Sequence, residues 1–225
     1  MKNVLVAISL LIAASLACAT LTGDSAEPPS QPNQPDQPNP PANNVLYQDD
    51  FSSSSSGWPE ASDSDKAAAY SNGQYLMQAF TTSQDVWAHP GENFTDVSIE
   101  VDATKFSGPD NNDFGIICRF QDDSNFYFLI VASDGYQSIG KYQNDDLIYL
   151  SADEMQPTDA VFSGTTTNHL RADCIGSTLT LYANGQQLAQ VTDTSFASGD
   201  IGLTVGTFDE PNIAVTFDNF VVFEP

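Results

Sequence analysis

Apolar and polar positions alternate with a period of two along most of the chain beyond residue 45. Between residues 95 and 104, Val97, Ile99, Val101 and Ala103 fall on one face and Ser98, Glu100, Asp102 and Thr104 on the other, which predicts a half-buried strand. Residues 114–120 and 126–132 are apolar runs rich in β-branched and aromatic side chains, joined by a polar turn, and predict a hairpin. Asn72-Gly73 and Asn184-Gly185 supply left-handed turn residues between two further strand pairs. Residues 199–205 and 213–223 complete the series. Only residues 152–160 lack strand character, and Pro157 argues against a long helix there. About a dozen strands separated by Gly, Asn and Asp turns predict an all-β fold over residues 45–225, a two-sheet antiparallel sandwich.

Two segments break the alternation. Behind Lys2, residues 4–16 are apolar or small throughout and close on Ser15-Leu16-Ala17-Cys18. That run is too short to span a bilayer and has the small-residue end that signal peptidases cut. It resembles a bacterial lipoprotein signal, with Ser15 in the place where that pattern usually has Leu. The resemblance implies removal of residues 1–17, lipidation of Cys18 and a membrane association made through the lipid anchor alone, in the bacterial cell envelope. An ordinary secretory signal with Cys18 incidental is the alternative, and both readings export the chain. Residues 23–44 carry no large apolar side chain, and seven of the thirteen prolines fall between Pro28 and Pro41. Such a segment has nothing to bury against its ordering entropy, so residues 18–44 are expected to be a disordered tether. Extended as polyproline II at ~3.1 Å per residue, it reaches on the order of 50 Å.

Charge narrows the partners. Residues 45–225 hold 27 acidic and five basic side chains. Nucleic acid and anionic surfaces are repelled by that excess. Many of the Asp residues sit in turns, where the side chain caps local amides. Calcium is the one cofactor such acidity leaves open, and Asp50 near the first strand with Asp218 near the last is the candidate pair, the alternative being two turn caps. No other cofactor is expected, and the domain is expected to be monomeric.

The order of motifs is itself informative: Asp49-Asp50-Phe51 with Gly57-Trp58, then residues 114–119, Asn125-Phe126-Tyr127, Ser133-Asp134-Gly135, His169-Leu170-Arg171, Asn184-Gly185, 199–202 and 217–220. This series resembles the concanavalin A-like lectin/glucanase jelly roll, in the broad laminin-G-like group. The resemblance implies a jelly-roll sandwich and a scaffold shared by lectins, glycosidases and structural modules, so it leaves function open. Laminarinase-type glucanases of this fold use an E-x-D-x-x-E pattern. Glu100-Val101-Asp102 begins it, but Lys105 stands where the second Glu belongs. His89 and His169 lie in separate segments with no nucleophile signature beside them, and no HExxH, CxxC or phosphate-binding Gly loop is present. The sequence therefore leans away from an enzyme and toward non-catalytic glycan binding. A glycoside-processing hydrolase of the glucanase or 3-keto-disaccharide hydrolase type and a protein-contacting adhesion module are the alternatives.

Aromatic rings stack on sugar faces and polar groups bond the hydroxyls. Trp87, Tyr127 and Tyr136 with Arg119 and Lys141 are the expected lining of a groove on the concave face. Alternation alone does not fix which of them face it. Arg119 reads equally as a structural ion pair with an acid, and Trp58 as a core plug. Cys118 is expected to share a face with Ile116 and Phe120, and Cys174 with Leu170 and Ala172. In an exported domain the two are expected to form a disulfide.

Overall fold

The computed structural model describes residues 44–225. The expected signal segment, Cys18 and the tether up to residue 43 lie outside the described residues. Sixteen strands follow one another: β1 Val45–Asp49, β2 Ala61–Ser62, β3 Lys66–Ser71, β4 Gln74–Ala79, β5 Gln84–Ala88, β6 Val97–Ser107, β7 Asp113–Asp122 and β8 Asn125–Ala132. They continue as β9 Tyr136–Gln143, β10 Asp146–Tyr149, β11 Gln156–Pro157, β12 Asn168–Ile175, β13 Thr178–Ala183, β14 Gln186–Thr192, β15 Asp200–Thr207 and β16 Ile213–Phe223. The segment without strand character holds only the two-residue β11, paired with β9.

The strands form two antiparallel sheets. The nine-stranded sheet runs β14-β13-β12-β6-β16-β4-β3-β2, with β1 also paired to β16, and the seven-stranded sheet runs β10-β9-β8-β7-β15-β5, with β11 beside β9. The alternation read at residues 95–104 becomes β6, whose Val97, Ile99, Val101 and Ala103 are fully buried between the sheets while Glu100 and Asp102 point outward. The two Asn-Gly hairpins form as expected: Asn72 and Gly73 join β3 to β4 at φ 54° and 76°, and Asn184 and Gly185 join β13 to β14 at φ 52° and 81°. Positive φ at two consecutive positions fits the right-handed twist of the flanking strands, which is why this dipeptide recurs at hairpin tips. Trp58 is indeed a core plug, with its ring centroid 5.4 Å from Phe51 and 5.1 Å from Phe220.

Cys118 of β7 and Cys174 of β12 are bonded, which ties one sheet to the other. One expectation about β7 is corrected. Phe120 does not share a face with Cys118: Ile116 and Cys118 belong to the core between the sheets, whereas Ile117 and Phe120 belong to a second apolar cluster. The cause is Arg119, which has φ 54° and interrupts the pairing of β7 with both β8 and β15. One extra residue at such a bulge shifts every later side chain to the other face.

A concave groove on the seven-stranded sheet

The seven-stranded sheet is apolar on both faces. Its inner face packs Ile116, Tyr127, Leu129, Val131 and Ile139 into the main core. Its outer face carries Ile117, Phe120, Phe126, Phe128 and Ile130, with Trp87, Tyr142, Tyr149 and Met155 packed over them. That face is strongly curved. The Tyr142 hydroxyl on β9 donates a hydrogen bond to Asp85 on β5, although three strands separate them. In a flat sheet those two strands would lie roughly 19 Å apart. Trp87 and Tyr142 are likewise only 6.1 Å apart between ring centroids. The curvature encloses a cleft of about 240 Å³.

Aromatic rings form the cleft walls. Trp87 lies 5.2 Å from Phe126, Phe126 lies 5.1 Å from Tyr142, and Phe128 lies 6.2 Å from Tyr149, all between ring centroids. The Trp87 indole N–H donates to Asp123 at 2.9 Å, which fixes the ring in place. Gly140 opposite Phe128 makes the wall possible, because a Cβ at Gly140 would sit 2.2 Å from the end of the Phe128 ring.

The floor holds two carboxyl groups that sequence reasoning missed. Asp85 and Asp113 flank Gly206 on neighbouring strands, each in register with it. A Cβ on Gly206 would lie 2.6 Å from Oδ1 of Asp85 and 2.8 Å from both oxygens of Asp113. The glycine thus leaves the space into which both acids lean. Burial pushes the Asp113 carboxyl well above the usual carboxylate range, and the charge of Asp85 adds to this. Burial also raises Asp85, against the opposing pull of the Tyr142 hydrogen bond. Tyr142 itself is raised by burial, then by its bond to Asp85 and by the neighbouring negative charges. A faint signal existed: Asp85 stands two residues from Trp87, hence on its face. Nothing in the chain marks Asp113 as its partner, since it reads as one more acid at a turn.

The residues expected to line the groove separate into two groups. Trp87 is in the wall. Tyr136 is exposed and lines a shallower depression that shares Tyr149 and Phe208 with the cleft. Arg119, Tyr127 and Lys141 are a correction, because all three are buried and their polar ends meet partners away from the cleft. Arg119 adopts its structural reading. It donates to the carbonyls of Thr95 (3.2 Å), Phe196 (2.9 Å) and Cys174 (3.3 Å) and pairs with Asp96 at 3.2 Å. Lys141 donates to Asp193 at 2.9 Å and to Ser195 at 2.6 Å, while Tyr127 donates to the other oxygen of Asp193 at 2.5 Å. Burial, followed by its bond to Asp193, pushes the Tyr127 phenol up to about 12. On both β8 and β9 the groove takes the adjacent residue instead: Phe126 and Phe128 beside Tyr127, Tyr142 beside Lys141.

The other candidates also have clear places. Asp50 is exposed and accepts hydrogen bonds from the amide and hydroxyl of Ser52, and Asp218 accepts one from the amide of Asn219. Asp50 caps a turn and Asp218 an irregularity inside β16, where Asn219 has φ 53°, and among the described residues no group of three or more His, Cys, Asp or Glu gathers as a metal site. Glu100 and Asp102 lie on the outer face of the nine-stranded sheet, where His169 stands 2.8 Å from Asp102. Lys105 is buried, donating to the Gly108 carbonyl at 2.8 Å and pairing with Asp110. His89 pairs with Asp200, which also accepts from the amides of Gly91 and Glu92.

No family model and no curated protein matches the chain. Solved structures do. The carbohydrate-binding module CBM66 from Bacillus subtilis superposes with a TM-score of 0.61 at 18% identity, over 75% of this chain and 96% of that one. The Bacillus licheniformis beta-glucanase gives 0.57 at 9% identity, over 80% and 98% of the two chains. A Bacillus subtilis protein of unknown function with a galectin-like fold gives 0.56 at 13%, over 80% and 95%. The domain has the two-sheet jelly-roll sandwich fold of these structures. The scaffold is one that carbohydrate-binding and carbohydrate-cleaving proteins share, and at these identities the likeness concerns the fold alone.

Proposed function

We propose that this chain is a lipid-anchored glycan-binding module of the bacterial cell envelope, and that it takes a sugar residue into the concave groove of the seven-stranded sheet. The observation that carries this reading is the groove itself: walls of aromatic rings over a floor of two carboxyl groups. Apolar sugar faces pack on rings, and hydroxyls donate to carboxylates. A cleft of about 240 Å³ suits one ring rather than a long chain of them. The export signal ending at Cys18 and the proline-rich tether support the placement outside the cytoplasm and the anchor. A glycan array probed with the purified protein tests the reading, with Trp87→Ala as the control. Bound glycans that are lost in the variant support the groove, and binding unaffected by Trp87→Ala together with Phe126→Ala overturns it.

A second reading rests on the Asp85 and Asp113 pair. Glycoside hydrolases use one carboxylic acid and one carboxylate, and two adjacent carboxyl groups, of which burial raises Asp113 the further, support this reading. Release of reducing ends from a glycan that binds, abolished by Asp113→Asn, would favour this reading over pure binding.

A further inference from the structure

The floor of the groove presents negative groups with no positive partner. Among the described residues, the buried acids Asp49, Asp173 and Asp200 each accept a hydrogen bond from the protein, and the last two also face a basic side chain. Asp113 is just as buried, at 5% exposure, and accepts none. It borders the cleft beside Asp85, and no Lys, Arg or His lines that cleft. The walls add to the same polarity, because the faces of aromatic rings are negative and attract cations. A neutral sugar hydroxyl satisfies a hydrogen bond here but leaves the charge uncompensated. An acidic sugar adds a third negative group to the site. An ammonium does what neither can, since it bonds both carboxylates and sits against the rings at once.

Resting on the glycan-binding reading, we propose that the groove selects a sugar bearing a free amino group, with the ammonium between Asp85 and Asp113 and the ring against Trp87 and Tyr142. Gly206 lets the two carboxyl groups approach each other over its Cα, and any larger residue would meet both and push them apart. Burial and the charge of Asp85 raise the Asp113 carboxyl, and an ammonium between the two acids would draw it back toward its charged form, which a neutral sugar has no reason to do. The titratable groups facing this point are Asp85 from β5, Asp113 from β7, Tyr142 from β9 and Tyr149 from β10.

The test is isothermal titration of the full-length protein with three β-1,4-linked tetrasaccharides, those of glucosamine, N-acetylglucosamine and glucose. The glucosamine oligomer is expected to bind about tenfold tighter than either neutral one and to release protons, seen as a buffer-dependent heat. Asp113→Asn and Asp85→Asn, each checked for folding by circular dichroism, are expected to erase that preference. Equal or tighter binding of a neutral oligomer overturns the amino-sugar assignment while leaving the glycan-binding reading in place. Binding of none of the three overturns the assignment, and the glycan array then decides the broader reading separately. Choline, a cation without a sugar ring, is expected not to displace the glucosamine oligomer. Displacement would show that the ammonium alone is recognised and would overturn the sugar assignment.

Discussion

Two polar clusters built from the same sheet make an instructive contrast. Behind the seven-stranded sheet, Arg119, Tyr127 and Lys141 meet Asp96, Asp193 and a set of backbone carbonyls, and each cation finds an acceptor. In front of it, Asp85 and Asp113 lean together over a glycine with no cation nearby. The first cluster ties loops and sheet ends to the core and gives a ligand no access. The second keeps an uncompensated pair of acids facing an open cleft, an arrangement that costs stability and makes sense where a ligand completes it.

The largest expected effect lies on the closed side. Replacing Cys118 and Cys174 by Ser together should cost about 4 kcal/mol in denaturant unfolding, because the bond closes a long loop and pins β7 to β12. A loss below about 1 kcal/mol would mean that packing alone holds the sheets together. Next, Arg119→Met should cost roughly 3 kcal/mol, since it strands three carbonyls and leaves the bulge conformation unchanged. Because Asp96 is partly exposed, most of that loss should come from the carbonyls and should survive in high salt.

On the open side, the stability and binding effects should part company. Trp87→Ala is expected to weaken glycan binding by about 2 kcal/mol while leaving the unfolding cooperative. The smallest effect should have the opposite sign. Asp113→Asn removes a buried acid with no protein partner and should stabilise the unliganded protein by roughly 1 kcal/mol at neutral pH.

The two clusters should also answer pH oppositely. Asp113 is raised in the folded state, so the unfolded chain loses its proton first as pH climbs, and the stability it lends at acid pH is lost through the interval above the ordinary carboxylate range. The gain from Asp113→Asn should therefore shrink as pH falls toward 3.8, the ordinary Asp value. Asp193 behaves the other way. Burial works to raise it, yet the hydrogen bonds from Tyr127, Lys141 and Ser195 together hold it well below the usual range. Its contribution is present above the ordinary carboxylate range and lost on acidification. Thermal melts of Asp113→Asn and Asp193→Asn between pH 3 and pH 8 should show the two trends diverging.

Much of the sandwich was legible because its signals are local. Alternation at residues 95–104 needs only neighbours in sequence, and Asn72-Gly73 and Asn184-Gly185 announce their turns by backbone preference. The disulfide was expected from the export reading and strand parity, although the parity used for Phe120 failed at Arg119. A residue at positive φ inside an apolar strand leaves no mark in the sequence, yet it changes which face the strand presents beyond it. The groove was legible only in part for a related reason. Both faces of this sheet are apolar, so polarity does not distinguish Tyr127 from Phe126 and Phe128, or Lys141 from Tyr142. The acid pair was beyond reach, since Asp85 and Asp113 meet through a third strand, β15, that lies far along the chain.

The pairing of β1 with β16 has a topological consequence. Val45 stands opposite Phe223, the Glu224 amide donates to the Asn44 carbonyl at 2.9 Å, and the Asn44 side chain donates to Glu224 at 2.9 Å. Residues 44 and 224 thus lie side by side at the end of the interior strand β16. A short glycine linker across that gap, with new ends opened at the Asn184-Gly185 tip, should give a permuted chain that keeps both sheets and the cleft. By the same geometry, the domain can be spliced into an exposed loop of a host protein and carry its groove there intact.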